Sequence, residues 1–426
     1  MNIRQVLFWA KDMLTGGKLK ADVAQMRHVY EHGITAEQMQ NKLEYICAHA
    51  CATVPAYAGC DPKDILSFPV VNKAVLKENY EAHKSSRYLS MEGCRTMSTS
   101  GSTGTPFTVI QNSRKTRRNT AAVFFFGEMA GYTFGERTAA LRVWSTGTRN
   151  SLKALLMNSY QLDISDLSPK GVQALYSYIK KKKIRHLQGY SSTFIAFADV
   201  LMKQGIQGNG VIKSIISASE TLPLDTEKKL ENLFGISVGM RYSDMECGII
   251  AERLGQTPYY IDSSSYFIEI LDMDKDEPVP DGQVGRIVVT DLYNEAFPMI
   301  RYDTGDTGSV IREEINSGAI KLYFNEVYGR RTDMIYDTTG KMLSPHVVTN
   351  NMWTVPCIKQ FKFTQTGEKT YTILLNVTED FNAENVVRDN LVSVLGADCQ
   401  LQIEYIDEIP VLASGKRRYI ENIWKK

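Results

Sequence analysis

Hydroxyl and glycine residues crowd together in Ser98-Thr99-Ser100-Gly101-Ser102-Thr103-Gly104-Thr105-Pro106-Phe107, just ahead of the apolar pair Val109-Ile110. Glycines leave backbone N–H groups bare and able to turn toward an anion, and the hydroxyls add further donors. Such a loop suits the phosphates of a nucleotide. A Walker loop would end in Gly-Lys-Ser/Thr, whereas Gly104 is followed here by Thr105-Pro106, so the lysine has to come from elsewhere. Taken alone, the run fits a flexible surface connection equally well.

Three further segments follow in order: Arg301-Tyr302-Asp303-Thr304-Gly305-Asp306, then Gly329-Arg330-Arg331-Thr332-Asp333, then Ser414-Gly415-Lys416. Together with the first loop they resemble the adenylate-forming superfamily of acyl-CoA synthetases, peptide-synthetase adenylation domains and luciferases. Val54-Pro55-Ala56-Tyr57, Phe68-Pro69-Val70-Val71-Asn72-Lys73, Gly189-Tyr190-Ser191-Ser192 and Gly285-Arg286-Ile287-Val288-Val289-Thr290 are similar to signatures of one branch. That branch contains phenylacetate-coenzyme A ligase and the CapK-like capsule-biosynthesis proteins, and the resemblance runs over roughly residues 40–420.

The resemblance implies a ligase that joins a small-molecule carboxylic acid to the α-phosphate of ATP and passes the acyl group to coenzyme A. Both reactants of the first step are anions, so the site must offset their repulsion with Mg²⁺, backbone donors and a lysine. On this reading Ser98, Thr99, Ser100, Gly101, Ser102, Thr103 and Gly104 hold the outer phosphates. Asp306 accepts both ribose hydroxyls, which an ionised carboxylate can do at once, and Arg330 makes a second ribose or phosphate contact. Tyr242-Ser243-Asp244-Met245-Glu246 resembles the family's Tyr-Gly-x-Thr-Glu segment, with the Tyr242 ring near adenine and Glu246 binding Mg²⁺ as a hard oxygen ligand. Ser243 and Met245 depart from that pattern. Ser219 and Glu220 fall where the family places its adenine-contacting segment. Lys416 matches the C-terminal lysine that bridges carboxylate and α-phosphate and supplies the missing cation.

Two departures bear on the chemistry. Only Cys247 stands where many members of the branch carry a zinc-binding set, so no structural zinc is expected, and the hinge position after the arginine is Thr332 rather than Asp or Lys. Acyl transfer to an amine, a hydroxyl or a carrier-protein thiol is therefore the alternative to coenzyme A. A degenerate nucleotide-binding partner protein is the alternative of another class. Phe124-Phe125-Phe126 and Trp144 are candidates for pocket walls, though an aromatic run is more often core.

Composition sets the remaining bounds. The 426 residues are 43% hydrophobic and 23% charged, with a net charge of +1, which gives no electrostatic argument for nucleic acid or a membrane as partner. No apolar run approaches the ~18 residues of a transmembrane helix, so a soluble cytoplasmic protein is expected; whether it forms a homo-oligomer is left open. The basic run 180–183 reads as the solvated end of a helix, where cations suit the dipole. Seven scattered cysteines without a Cys-x-x-Cys indicate neither a disulfide framework nor a zinc ribbon. His28 and His32, and His49 between Cys47 and Cys51, lack the spacing of a metal site.

The elements that must position these residues follow from periodicity. Residues 1–60 read as helical, with a capping box at Thr35-Ala36-Glu37-Gln38 ahead of Met39, Leu43 and Ile46. From about 95 to 240, apolar strands such as 138–143 and 213–218 alternate with amphipathic segments, the mark of an α/β layer fold. Residues 260–311 read as an antiparallel β-rich subdomain. Beyond Gly329 the order becomes helix (344–353), two strands (358–364, 371–377), helix (383–395) and strand (401–405). The expected architecture is a large multi-layer α/β domain over 1–330, binding ATP and acid, and a small mobile α+β domain over 331–426 carrying Lys416.

Overall fold

The computed structural model describes residues 3–98, 107–142, 158–164, 166–206, 208–218, 222–315, 318–330, 335–343, 345–353, 355–409 and 419–424. The chain opens with three helices: α1 (Ile3–Leu14), α2 (Lys18–His32) and α3 (Ala36–Thr53). The capping box at the start of α3 forms as its sequence requires: Thr35 Oγ1 accepts from Gln38 N at 3.2 Å and Thr35 N donates to Gln38 Oε1 at 3.0 Å. Leu43, Ile46, Cys47 and Ala50 then recur on one face and are buried. The two-residue strands β1 (Ile34–Thr35) and β2 (Val71–Asn72) and the short helix α4 (Lys73–Glu78) follow, then the hairpin β3 (Arg95–Ser98) and β4 (Thr108–Gln111), then the long helix α5 (Ser113–Met129).

The parallel half of the main sheet contains β5 (Thr138–Arg142), β6 (Ser159–Asp163), β7 (His186–Tyr190), β8 (Ser214–Ala218) and β9 (Val238–Asp244). Its crossovers are α6 (Pro169–Lys182), α7 (Ser191–Lys203) and α8 (Leu224–Phe234). Every residue of β8 is buried, as expected of a strand covered on both faces. The basic run does close α6, with Lys180, Lys181 and Lys182 in its last turn.

From β9 the sheet turns antiparallel through β10 (Gly248–Leu254) and β11 (Tyr259–Ile261). It continues through β15 (Ala319–Arg330), β14 (Tyr302–Ile315) and β13 (Gly285–Asp291) to β12 (Tyr266–Leu271). With β1 on β15 and β2 on β14, thirteen strands form one sheet. The β-rich part expected over 260–311 thus continues the parallel half without a break, because β9 and β10 are consecutive hairpin partners. Further along lie the short pair β16 (Ile335–Tyr336) and β17 (Met342–Leu343), helices α9 (Pro345–Trp353) and α10 (Glu384–Leu395), and a four-stranded sheet. Its order is β20 (Gln400–Tyr405), β19 (Thr370–Val377), β18 (Ile358–Gln365), β21 (Ile420–Asn422). Val348, Met352, Phe363, Tyr371, Val387 and Leu391 form its core.

One buried polar contact ties α5 to the antiparallel half. Lys115 and Asp291 are both inaccessible to solvent, with Nζ 2.6 Å from Asp291 Oδ2. The same ammonium donates to Tyr266 Oη at 3.1 Å, and Asp291 Oδ1 accepts from the backbone N–H groups of Tyr293 and Asn294 at 2.9 and 3.2 Å. Removing one partner of such a pair strands the other charge in the interior. Lys115→Met is therefore expected to cost about 3–5 kcal/mol, read as a lower urea midpoint. A loss below about 1 kcal/mol, the level of an exposed pair, would show that the contact does not stabilise the fold.

Candidate active site

The segment Tyr242-Ser243-Asp244-Met245-Glu246 ends β9 and turns tightly into β10, with Asp244 paired opposite Gly248. The turn is closed by Asp244 Oδ1, which accepts from Cys247 N at 2.5 Å and Gly248 N at 3.3 Å. Gly248 is required here. Its φ is +101°, and a Cβ would lie 2.7 Å from Asn119 Oδ1. On the far side the Cys247 carbonyl accepts from Tyr266 Oη at 2.6 Å, so the turn is linked through Tyr266 to Lys115. Glu246 is held inward and only 5% exposed.

Asp306 lies on β14, directly across the ladder from Arg330 on β15. Its carboxylate also meets the β9 segment, since Tyr242 Oη donates to Asp306 Oδ2 at 2.9 Å. The rest of the motif is structural. Asp303 pairs with Arg286 at 2.9 Å and accepts from Gly305 N at 2.8 Å. Thr304 Oγ1 donates to Ile287 O at 3.0 Å and accepts from Asp306 N at 3.1 Å. Arg301 is buried in a two-pronged pair with Glu269, at 3.1 and 3.0 Å. These contacts fix the backbone from which Asp306 projects.

Lys73, read from sequence only as part of a recurring pattern, reaches the same place. Its Nζ lies 3.1 Å from Glu246 Oε1 and 5.5 Å from the centroid of the Phe107 ring. The segment is positioned by β2, which runs parallel to β14 with Val71 opposite Tyr302, and by Asn72, whose side chain caps α4 at Ala74 N and Val75 N. A lysine in the first helical turn opposes the helix dipole. The Glu246 carboxylate offsets that local misfit.

The phosphate-loop candidates Thr99, Ser100, Gly101, Ser102, Thr103 and Gly104 lie outside the described residues, as do Ser219, Glu220, Thr332, Trp144 and Lys416. Their anchors are described. Ser98 and Thr108 face each other across the β3/β4 hairpin with Oγ and Oγ1 2.9 Å apart, and Phe107 is buried against Tyr80 and Phe297. Gln111, at the base of the hairpin, donates to the Glu246 carbonyl at 3.4 Å and accepts from Asn119 Nδ2 at 3.1 Å. Ala218, which ends β8, is paired with Arg241. Ser98, Tyr242, Glu246, Asp306 and the Arg330 backbone are thus all carried on elements that converge on the β9/β10 turn.

Beside that turn, a cavity of about 410 Å³ lies between α5 and the parallel strands, its wall including Gln111, Asn119, Phe124, Ala140, His186 and Arg241. Of the aromatic triplet, Phe124 borders the cavity, whereas Phe125 and Phe126 pack against Tyr260. Burial holds the His186 imidazole below its ordinary pKa, with Nδ1 2.8 Å from Ser214 Oγ and Nε2 2.9 Å from Glu136. Elsewhere His28 stacks on His32, and His49 Nε2 lies 2.8 Å from the Glu295 carbonyl.

Carboxylates dominate the electrostatics of the turn. Burial, and then the nearby charge of Glu246, push Asp244 up from 3.8 to about 7. Burial, and then the charge of Asp306, hold the Tyr242 hydroxyl well above its ordinary value. Because the folded chain retains the Asp244 proton that the unfolded chain has lost, this group lowers stability as pH rises from about 4 to about 7. Asp244→Asn keeps the acceptor for Cys247 and Gly248 and removes the titration. Its urea midpoint relative to the parent should therefore be higher at pH 8 than at pH 5, and an equal difference at both would remove Asp244 as the cause.

Residues 335–423 match the family model of the CapK C-terminal domain. A phenylacetate-coenzyme A ligase of Thermus thermophilus is 24% identical over 336 residues, covering 70% of either chain. Protein CapK of Staphylococcus aureus is 22% identical over 343 residues, covering 76% of this chain and 74% of that one. In structure, the chain is similar to 2-hydroxyisobutyryl-CoA ligase in its postadenylation state in complex with R3-HIB-AMP, with a TM-score of 0.73, 19% identity and coverage of 93% and 91%. The chain therefore has the fold of the adenylate-forming acyl-CoA ligases, counts phenylacetate-coenzyme A ligases and CapK among its sequence relatives, and carries a CapK C-terminal domain.

Proposed function

We propose that the chain is an ATP-dependent, AMP-forming ligase that activates a carboxylic acid as acyl-adenylate and transfers the acyl group to coenzyme A. The observation that carries this reading is the convergence of Asp306, Tyr242 and Glu246 on one turn, with Arg330 opposite Asp306 in the ladder. Asp306 would accept the ribose hydroxyls while Tyr242 holds one of its oxygens. The acid carboxylate attacks the α-phosphorus, a new P–O bond forms, and pyrophosphate leaves; the coenzyme A thiolate then attacks the acyl carbon and AMP departs. The loop 98–104, Ser219, Glu220 and Lys416 retain on this reading the roles their motifs imply, with 331–426 as the mobile part that brings Lys416 in.

Glu246 and the buried Asp244 Oδ2, which has no hydrogen-bond partner, are hard oxygen donors that fit Mg²⁺. Among the described residues no group of three or more His, Cys, Asp or Glu forms a metal cage. Mg²⁺ needs only one or two carboxylates when phosphates and water complete its shell. Bound there, it would neutralise phosphate charge. In its absence Lys73 offsets the charge of Glu246.

The cavity beside α5 is assigned to the acid. Val123, Phe124, Ala140, Leu187 and Ile216 in its wall favour an acid with an apolar body, since Asn119 and Gln111 are already engaged with each other. The CapK C-terminal match favours a second acceptor reading, with an amine, hydroxyl or carrier thiol in place of coenzyme A. Pyrophosphate exchange into ATP, run over a panel of aromatic and aliphatic acids with and without coenzyme A, separates these readings. Absence of exchange with every acid of the panel would leave a nucleotide-binding partner protein.

Three variants test the residue assignments. Asp306→Ala removes two hydrogen bonds to a charged acceptor, about 1.5–3 kcal/mol each before water replaces them, so KM for ATP should rise with the fold unchanged; unaltered ATP affinity would refute the ribose role. Lys416→Ala should lower pyrophosphate exchange by roughly 10²-fold or more yet leave ATP binding and thioester formation from supplied acyl-adenylate intact. Exchange at the parental rate would mark that lysine as a solvated turn residue. Ala140→Leu narrows the cavity, so kcat/KM should fall more for bulky acids than for acetate, and a uniform fall would move the acid elsewhere.

A further inference from the structure

Helix α1 has two apolar faces, and only one is covered. Phe8 packs on Phe134 and Phe124 at ring-centroid distances of 4.3 and 5.3 Å, and Trp9 packs on Phe124 at 5.6 Å. The other face carries Ile3, Val6, Leu7, Met13 and Leu14, which are 72, 42, 64, 70 and 84% exposed. At 3.6 residues per turn these five, with Ala10, form one continuous apolar stripe. Isolated exposed apolar residues are ordinary on a protein surface, but a stripe along an entire helix is not.

Charge indicates what covers it. Arg4 and Lys11 fall next to Leu7 around the helix and border the stripe on one side. Over residues 1–20 the charged residues are Arg4, Lys11, Lys18 and Lys20 against Asp12 alone, while the whole chain is balanced at 49 basic to 48 acidic. The Asp12 carboxylate is engaged locally, accepting from Leu19 N at 3.2 Å and Lys20 N at 3.0 Å, which fixes the turn into α2. The twelve residues of α1 are too few to cross a bilayer, and no described helix is long and apolar enough to do so. A second copy of the chain fits poorly. Antiparallel pairing of α1 with itself about a two-fold axis would set its basic border against the same basic border.

We infer that α1 lies in the plane of an anionic lipid surface, with Ile3, Leu7, Met13 and Leu14 among the acyl chains and the basic residues of 4–20 at the headgroups. This is peripheral, salt-sensitive seating. It is independent of the catalytic reading, because no residue of α1 belongs to the site described above.

Vesicle flotation of the full chain tests it, using phosphatidylcholine vesicles with and without phosphatidylglycerol. The parent should float with the anionic vesicles, stay in solution with the neutral ones, and be released by salt. Leu7→Gln with Leu14→Gln should lose at least about ten-fold in partitioning while its urea midpoint and pyrophosphate exchange stay at the parental level, since both side chains are exposed. Equal partitioning of parent and variant onto anionic vesicles would overturn the proposal. So would indifference to lipid charge, or a dimer that the double variant dissolves without any vesicle binding.

Discussion

The Lys115–Asp291 ion pair is the contact on which the geometry of the site depends. It sits where α5 crosses the antiparallel half of the sheet, and both charges are sealed from water. Such a pair tolerates no sliding, because the desolvation already incurred is recovered only at close range. Through Tyr266 the same ammonium reaches the Cys247 carbonyl, one residue from Glu246. A helix, an edge strand and the β9/β10 turn are therefore registered against one another by a single chain of polar contacts. Together these links set the position of the turn that carries the carboxylates.

That turn also marks a change in the sheet. From β5 to β9 its strands pair parallel; from β9 through β10, β11, β15, β14 and β13 to β12 each pairs antiparallel with the next. Ligands of open α/β sheets gather beyond the carboxyl ends of strands, where connections part. Here β8 and β9 end at the β9/β10 turn, and the antiparallel half supplies the wall that faces it. Asp306 and the Arg330 backbone come from that wall, Tyr242 and Glu246 from the switch itself. Lys73 arrives from a third direction at the start of α4, directly after β2, which pairs with β14.

Local patterns in the chain were legible and distant pairings were not. The Thr35 capping box, the apolar face of α3 and the strand read at 213–218 are written in runs of a few residues, and the structure reproduces them, the strand as Ser214–Ala218. The order of the motifs, and the charge and spacing of Asp306 and Arg330, pointed to one site. No short-range pattern, however, encodes that Tyr242 donates to a carboxylate 64 residues later, or that Lys73 meets Glu246 173 residues on. Those contacts follow from strand order, which is a property of the whole sheet. Asp244 escaped notice for a related reason, since a carboxylate beside a family glutamate looks redundant until burial shows that the two repel each other. The aromatic triplet divided between cavity and core because successive helical residues point about 100° apart.

Phe124 belongs to two surfaces at once. One edge of its ring carries Phe8 and Trp9, and the same side chain borders the cavity next to Asn119. Phe8 and Trp9, on the covered face of α1, thereby back one residue of the cavity wall, so a change at either would reach the cavity through the Phe124 ring, whereas Leu7 and Leu14 lie exposed on the other face.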